Sequence, residues 1–193
     1  MIHQQGGNGA DLDSSIKRIE EEVAVLTITI DSEPTNIEAL AMRGLLYGQL
    51  VKPQDAVEDF TRVLQIDPKN AEAHYNRAMA YVHMRQLSLA IEDFTAAVDL
   101  DPNHADALSN RGMANYEAKH PELAARDAEL AMAVKPEHPQ AYAVRALARA
   151  FLGEEEPALE DLAKAVGFGF DAHMLGMLVK QARLSGRRRT DNG

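Results

Sequence analysis

Residues 71–104 read AEAHYNRAMAYVHMRQLSLAIEDFTAAVDLDPNH, and the neighbouring sequence nearly repeats this stretch. Its closing Asp101-Pro102-Asn103-His104 matches Asp67-Pro68-Lys69-Asn70 just ahead of it. Pro34, Pro68, Pro102 and Pro136 follow one another at intervals of 34 residues. Arg43, Arg77, Arg111 and Arg145 keep the same interval, as do Asp59, Asp93, Asp127 and Asp161. Three residue types on one period mark an internal repeat, the signature of an array rather than a single globule. The frame sets repeats at 37–70, 71–104, 105–138 and 139–172, with 36 residues before them and 21 after.

Each repeat reads as two helices. In the quoted stretch the first runs from Ala71 to Met84, Arg85-Gln86 make the turn, and the second runs from Leu87 to Leu100. Ala73, Ala80 and Tyr81 line one face of the first; Ala90, Ile91, Phe94, Ala97 and Val98 line one face of the second. Spacings of three and four place those residues on an apolar stripe. Proline placement agrees independently. Pro53, Pro121 and Pro139 start helices, where a missing N–H costs nothing. Pro68, Pro102 and Pro136 follow second helices and stop them.

Composition points the same way. The chain has 31 alanines among 193 residues but only five Tyr, five Phe and no Trp, which favours helices over a β-sandwich. With no cysteine, a disulfide scaffold, thiolate catalysis and a Cys-ligated metal centre are excluded. The formal charge is −10, the reverse of a nucleic-acid binder. It divides unevenly, because residues 171–193 hold five basic and two acidic side chains. The preceding residues are therefore more acidic than the total and suit neutral or basic peptides. The longest apolar-leaning run, Val23 to Ile30, spans eight residues. A membrane span needs roughly 20, so direct membrane insertion is not expected. The first fourteen residues carry no apolar targeting segment, and the expected compartment is cytoplasmic.

The residue pattern resembles the tetratricopeptide repeat (TPR), a 34-residue helix–turn–helix with a large residue, Leu, Gly/Ala, Tyr, Ala, Phe, Ala and Pro at fixed places. Repeat 37–70 offers Leu40, Gly44, Tyr47, Ala56, Phe60, Val63 and Pro68; repeat 71–104 offers His74, Ala78, Tyr81, Ala90, Phe94, Ala97 and Pro102. Repeat 105–138 offers Leu108, Gly112, Asn115, Ala124, Ala128, Ala131 and Pro136. Repeat 139–172 is a degenerate end, with Tyr142, Ala146, Ala158, Leu162 and Ala165 but Phe170 where proline is expected. The resemblance implies an all-α fold: a TPR α-solenoid of four repeats with N- and C-terminal capping helices, coiled as a right-handed superhelix. Residues 11–36 hold only the second half of a repeat, with Glu22 in place of the small alanine, and read as one capping helix. The alternative there is a strand, since Val23–Ile30 is rich in β-branched residues. Residues 1–10 are expected to be disordered. Residues 173–193 are expected to hold a second cap, N-capped by Asp171 and ending near Leu184, and then a loose basic tail from Gly186.

The departure from the family pattern is informative. Where Leu is usual, every repeat has Arg, and sixteen residues on each has Asp: Arg43/Asp59, Arg77/Asp93, Arg111/Asp127 and Arg145/Asp161. A guanidinium fork matches a carboxylate in a bidentate pair. Structural bridges within repeats, shared in part with the adjacent repeat, are expected. Because every Arg has its own Asp, a row of catalytic or anion-binding arginines is the weaker reading.

In TPR arrays the first helices line a concave groove. Carried onto this chain, the groove positions include Met42, Leu45, Tyr75, Asn76, Met79, His83, Asn110, Met113, Tyr116 and Leu147. Leu45, Met79, Met113 and Leu147 form an apolar stripe on the 34-residue period, which either faces a ligand or packs on neighbouring helices. Methionine adapts to varied partners. Asn76 and Asn110 stand beside it and suit hydrogen bonds to a peptide backbone. The positions that grip a chaperone's C-terminal carboxylate in part of the family hold Ala41, Leu45, Asn76, Asp106 and Asn110 here. Only Asn76 fits, so that ligand is disfavoured.

No Ser/His/Asp set, phosphate loop, paired-carboxylate motif or metal-spaced histidine pair is present, so no enzyme activity, catalytic residue, metal or cofactor is expected. His104 and His138 simply follow the repeat. The function expected is protein–protein interaction: a scaffold or adaptor that binds a peptide or amphipathic helix in the groove. The alternatives are a chaperone-like protein of secretion or pilus assembly, and a self-assembling homo-oligomeric scaffold.

Overall fold

A computed structural model describes residues 7–190, with side chains from 13 to 187. All regular structure among them is α-helical. The chain forms two compact units, residues 1–85 and 86–193. The first holds α1 (Gly7–Ser32), α2 (Ile37–Gln49), α3 (Pro53–Ile66) and α4 (Ala71–His83). The second holds α5 (Leu87–Leu100), α6 (Ala105–Glu117), α7 (Pro121–Val134), α8 (Pro139–Leu152), α9 (Glu155–Gly167) and α10 (Ala172–Thr190).

Repeated helix starts have a repeated cause. Asn36 and Asn70 cap α2 and α4 by accepting from the backbone N–H of Ala39 and Ala73, each at 2.9 Å. His104 and His138 occupy the same place ahead of α6 and α8, accepting through Nδ1 from Ala107 at 3.2 Å and Ala141 at 3.3 Å. An accepting Nδ1 leaves the proton on Nε2, and His138 Nε2 donates to Asp106 Oδ1 at 2.9 Å. The paired histidines are therefore helix caps.

The turn inside each repeat is equally periodic. Val51, Arg85, Lys119 and Gly153 all have positive φ, at 55°, 60°, 69° and 87°. After Val51, the Lys52 N–H reaches back to Tyr47 C=O at 2.9 Å and Val51 N–H to Gly48 C=O at 3.1 Å, the bond pair of a Schellman stop. Only the fourth turn has glycine. Val51 is β-branched and 76% exposed, so its side chain gains little packing in return for the strained backbone. Val51→Gly is expected to stabilise the first unit by about 1 kcal/mol, read as a higher urea midpoint.

In the first unit the core gathers Ile30, Leu40, Phe60, Val63 and Leu64, with Leu26, Tyr47 and Val57 at its margin. α1 is helical through Val23–Ile30, and Ile30 and Leu26 turn toward this core. In the second unit close packing is carried by alanine. Ala124, Ala128 and Ala131 of α7 meet Ala141, Val144 and Ala148 of α8. Small side chains let the helix backbones approach, which accounts for the alanine excess.

Both ends differ from expectation. Residues 1–6 lie outside the described residues, but Gly7–Ala10, expected to be disordered, belong to α1. At the other end α10 does not stop near Leu184; it runs through Gly186 to Thr190. Asp171 caps it, accepting from Met174 N–H at 2.6 Å. Gly186 does not break this helix because it lies directly on α8, where an added Cβ would overlap the Phe151 carbonyl. Arg187 continues the helix and pairs with Glu155 at 2.7 Å. No described helix is long and apolar enough to cross a membrane.

Candidate functional site

The periodic Arg and Asp side chains build a ladder. Arg43 Nε and Nη2 donate to Asp59 Oδ2 and Oδ1 at 2.8 and 2.7 Å, a bidentate fork between α2 and α3. Arg111 makes the same fork to Asp127 at 3.1 and 2.6 Å, and Arg145 to Asp161 at 2.8 and 2.8 Å. Arg77 and Asp93 stand in different units; Asp93 is buried. The remaining guanidinium nitrogen reaches back to the preceding second helix. Arg43, Arg77 and Arg111 donate through Nη1 to Thr27, Thr61 and Thr95 at 3.0, 3.1 and 3.4 Å. At the corresponding place Arg145 meets Glu129, at 3.6 Å. The three threonines lie 34 residues apart, a signal that sequence reasoning missed.

These arginines are saturated by internal partners. The hydrogen bond to Asp59 raises the Arg43 guanidinium above its ordinary value, with burial acting against it. Asp161 does the same for Arg145. Both stay charged at any working pH. They act as ties between helices and leave no fork free for an anion.

The expected groove residues separate into two groups. In the first unit Leu45, Asn76, Met79 and His83 come together at a cleft of about 120 Å³ between α2, α3 and α4. Its walls include Gly44, Gly48, Val51, Pro53 and Phe60, none of which was among the expected groove residues. Met42 is exposed and Tyr75 half-buried, and neither lines the cleft. The hollow has a local origin. Gly44 and Gly48 sit one turn apart on α2. A Cβ on Gly44 would stand 2.9 Å from the Phe60 ring, whereas a Cβ on Gly48 would meet nothing within 4 Å. The 34-residue step from Gly48 leads to Val82, Tyr116 and Ala150, so only the first repeat leaves this position empty. Leu45, 41% exposed, forms the rim. Asn76 Nδ2 donates to Glu72 Oε1 at 3.0 Å, which holds the amide at the edge.

In the second unit the same stripe is core. Leu147, expected in the groove, is only 4% exposed, and Met113 and Tyr116 pack against its cluster. The reason is α10, which lies chiefly on α8 and adds Leu175, Val179 and Ala182 to that cluster. Tyr116 meets Phe151 edge to face at 6.3 Å, and burial raises its phenol above the usual value. Asn110 Oδ1 accepts from Gln140 Nε2 at 2.7 Å. In this unit the residues expected to meet a ligand meet one another. No group of three potential metal-binding side chains occurs among the described residues.

Family models described as Tetratricopeptide repeat match residues 71–104 and 41–86. No curated protein matches the chain in sequence. Among solved structures, MamA is similar at 23% identity with a TM-score of 0.74, over 86% of this chain and 96% of that one. YrrB, described as a TPR protein with an unusual peptide-binding site, is similar at 24% identity and TM-score 0.72, over 89% of this chain and 88% of that one. PilF of Pseudomonas aeruginosa gives 17% identity and TM-score 0.74, over 91% and 84%. At these identities the likeness concerns the fold.

Proposed function

We propose that this chain, a tetratricopeptide-repeat protein with an all-α repeat fold, is an interaction scaffold that holds a peptide or amphipathic helix at the α2–α3–α4 cleft. The cleft carries the reading. Its walls are mostly apolar, with Asn76 and His83 as polar groups at the margin. At about 120 Å³ it is smaller than the roughly 300–1,000 Å³ of small-molecule sites. That size takes one apolar side chain of an extended or helical segment, while backbone amides of the ligand meet Asn76. YrrB, with its peptide-binding site, is a relative in fold that fits the same kind of function. The acidic balance of the chain suits neutral or basic ligands.

Selection from a random peptide library tests this reading. Captured peptides are expected to share one apolar anchor and to carry a neutral or positive charge. Gly48→Leu fills the hollow where nothing lies within 4 Å, so it should abolish capture with helicity and urea midpoint preserved. Met79→Glu should do the same by placing a charge in the apolar wall. Capture that survives both changes sinks the assignment. Met113 is unsuitable for this test, because it packs against the buried Leu147 cluster.

A further inference from the structure

The frame leaves one helix without a partner at each end. α1 stands where the second helix of a repeat belongs, yet no helix precedes it among the described residues. α10 stands where a first helix belongs, and none follows it. Their residues depart from the repeat in matching ways. In every full repeat one position of each helix is small, giving Gly44/Ala56, Ala78/Ala90, Gly112/Ala124 and Ala146/Ala158. The 34-residue step carries this pair to Lys180 on α10 and Glu22 on α1. Small against small has become cation against anion. The Arg/Asp pair also changes on both helices, to Val179 on α10 and Val25 on α1. Neither helix would therefore strand a buried charge against the other.

The surfaces agree. α10 packs more on α8 than on α9 and leaves a groove of about 200 Å³ between α9 and α10. Leu159, Leu162, Gly176 and Val179 line it, with Lys180 and Arg183 at its margin. Arg183 Nε is buried there without a hydrogen-bond partner. On α1, Val25 and Ile28 are exposed at 62% and 70%, beside the Glu20-Glu21-Glu22 run.

We propose that α10 of one copy and α1 of a second copy pair in trans and complete a composite repeat. Val25 enters the α9–α10 groove, and Glu22 meets Lys180. The occupant is a second copy because the two helices complement each other in position, polarity and charge. The contact joins two different surfaces, so it is heterologous and can continue from copy to copy. It stands independently of the peptide cleft, which lies on α2, α3 and α4.

Light scattering and sedimentation of the full chain test it. The mass is expected to rise with concentration. Lys180→Glu and Glu22→Lys, both at exposed positions, should each weaken association by about tenfold or more while the circular dichroism stays unchanged. Combining both changes in one chain should restore association. Mixing the two single variants should also restore it, because each keeps the surface that the other lacks. A chain that stays monomeric, association indifferent to the single changes, or a double variant no better than the singles would overturn the proposal. Gly48→Leu should leave assembly intact, which separates this contact from the peptide site.

Discussion

Asp161→Ala is expected to lower stability by about 3–5 kcal/mol, the cost of breaking a buried ion pair on one side only. Asp161 is buried on α9 and accepts from three donors: Arg145 Nε and Nη2 at 2.8 Å each, and Arg149 Nη1 at 2.8 Å. Alanine would strand two guanidiniums between α8 and α9. Glu129 and Glu154 cannot replace the lost carboxylate, because they are about half exposed and approach the same arginines only at 3.6–3.8 Å. The loss should exceed that of Asp59→Ala, where one guanidinium is orphaned and Thr27 still accepts from it. Urea unfolding with hydrogen exchange on α8 and α9 reads the effect. Replacing Asp161, Arg145 and Arg149 together with apolar residues of similar size should recover most of the loss. A single-variant loss below about 1 kcal/mol would mean that the ladder does not tie the helices.

That ladder was legible because it is periodic. Arg, Asp and Pro recur every 34 residues, so helix count, helix order and the paired positions follow from self-comparison alone. The threonine rungs and the Asn36, Asn70, His104 and His138 caps obey the same step and could have been found by it. The cleft was harder to read. It exists because Gly48 lacks a side chain that Val82, Tyr116 and Ala150 supply elsewhere, and a missing group leaves no motif. Leu147 was misread because periodicity gives equal standing to equivalent positions. Leu45 and Leu147 are equivalent in the repeat, but only Leu147 lies in a cluster that α10 extends. Burial at an array's end depends on what caps it, and the cap has no periodic counterpart.

Gly186→Ala sets these two levels against each other. By helix propensity alone, alanine should stabilise α10 by up to about 1 kcal/mol. By packing, it should do the reverse. The added Cβ would overlap the Phe151 carbonyl, a backbone group that cannot rotate aside. The C-terminal half of α10 must lift from α8. With it go the packing of Ala182 on the Leu147 cluster and the bridges from Arg183 and Arg187 to Glu155, at 3.4 and 2.7 Å. Overpacking of this kind costs about 1–3 kcal/mol, which outweighs the propensity gain. The expected result is a lower urea midpoint with helicity unchanged, and faster hydrogen exchange in α10 and along Phe151 of α8. Release would also uncover Leu147 and Phe151, so a dye specific for apolar surface should bind the variant more strongly. A rise in stability would mean that propensity governs this position and that α10 does not rest on Phe151. The apolar stripe of the second unit would then be open to ligands after all.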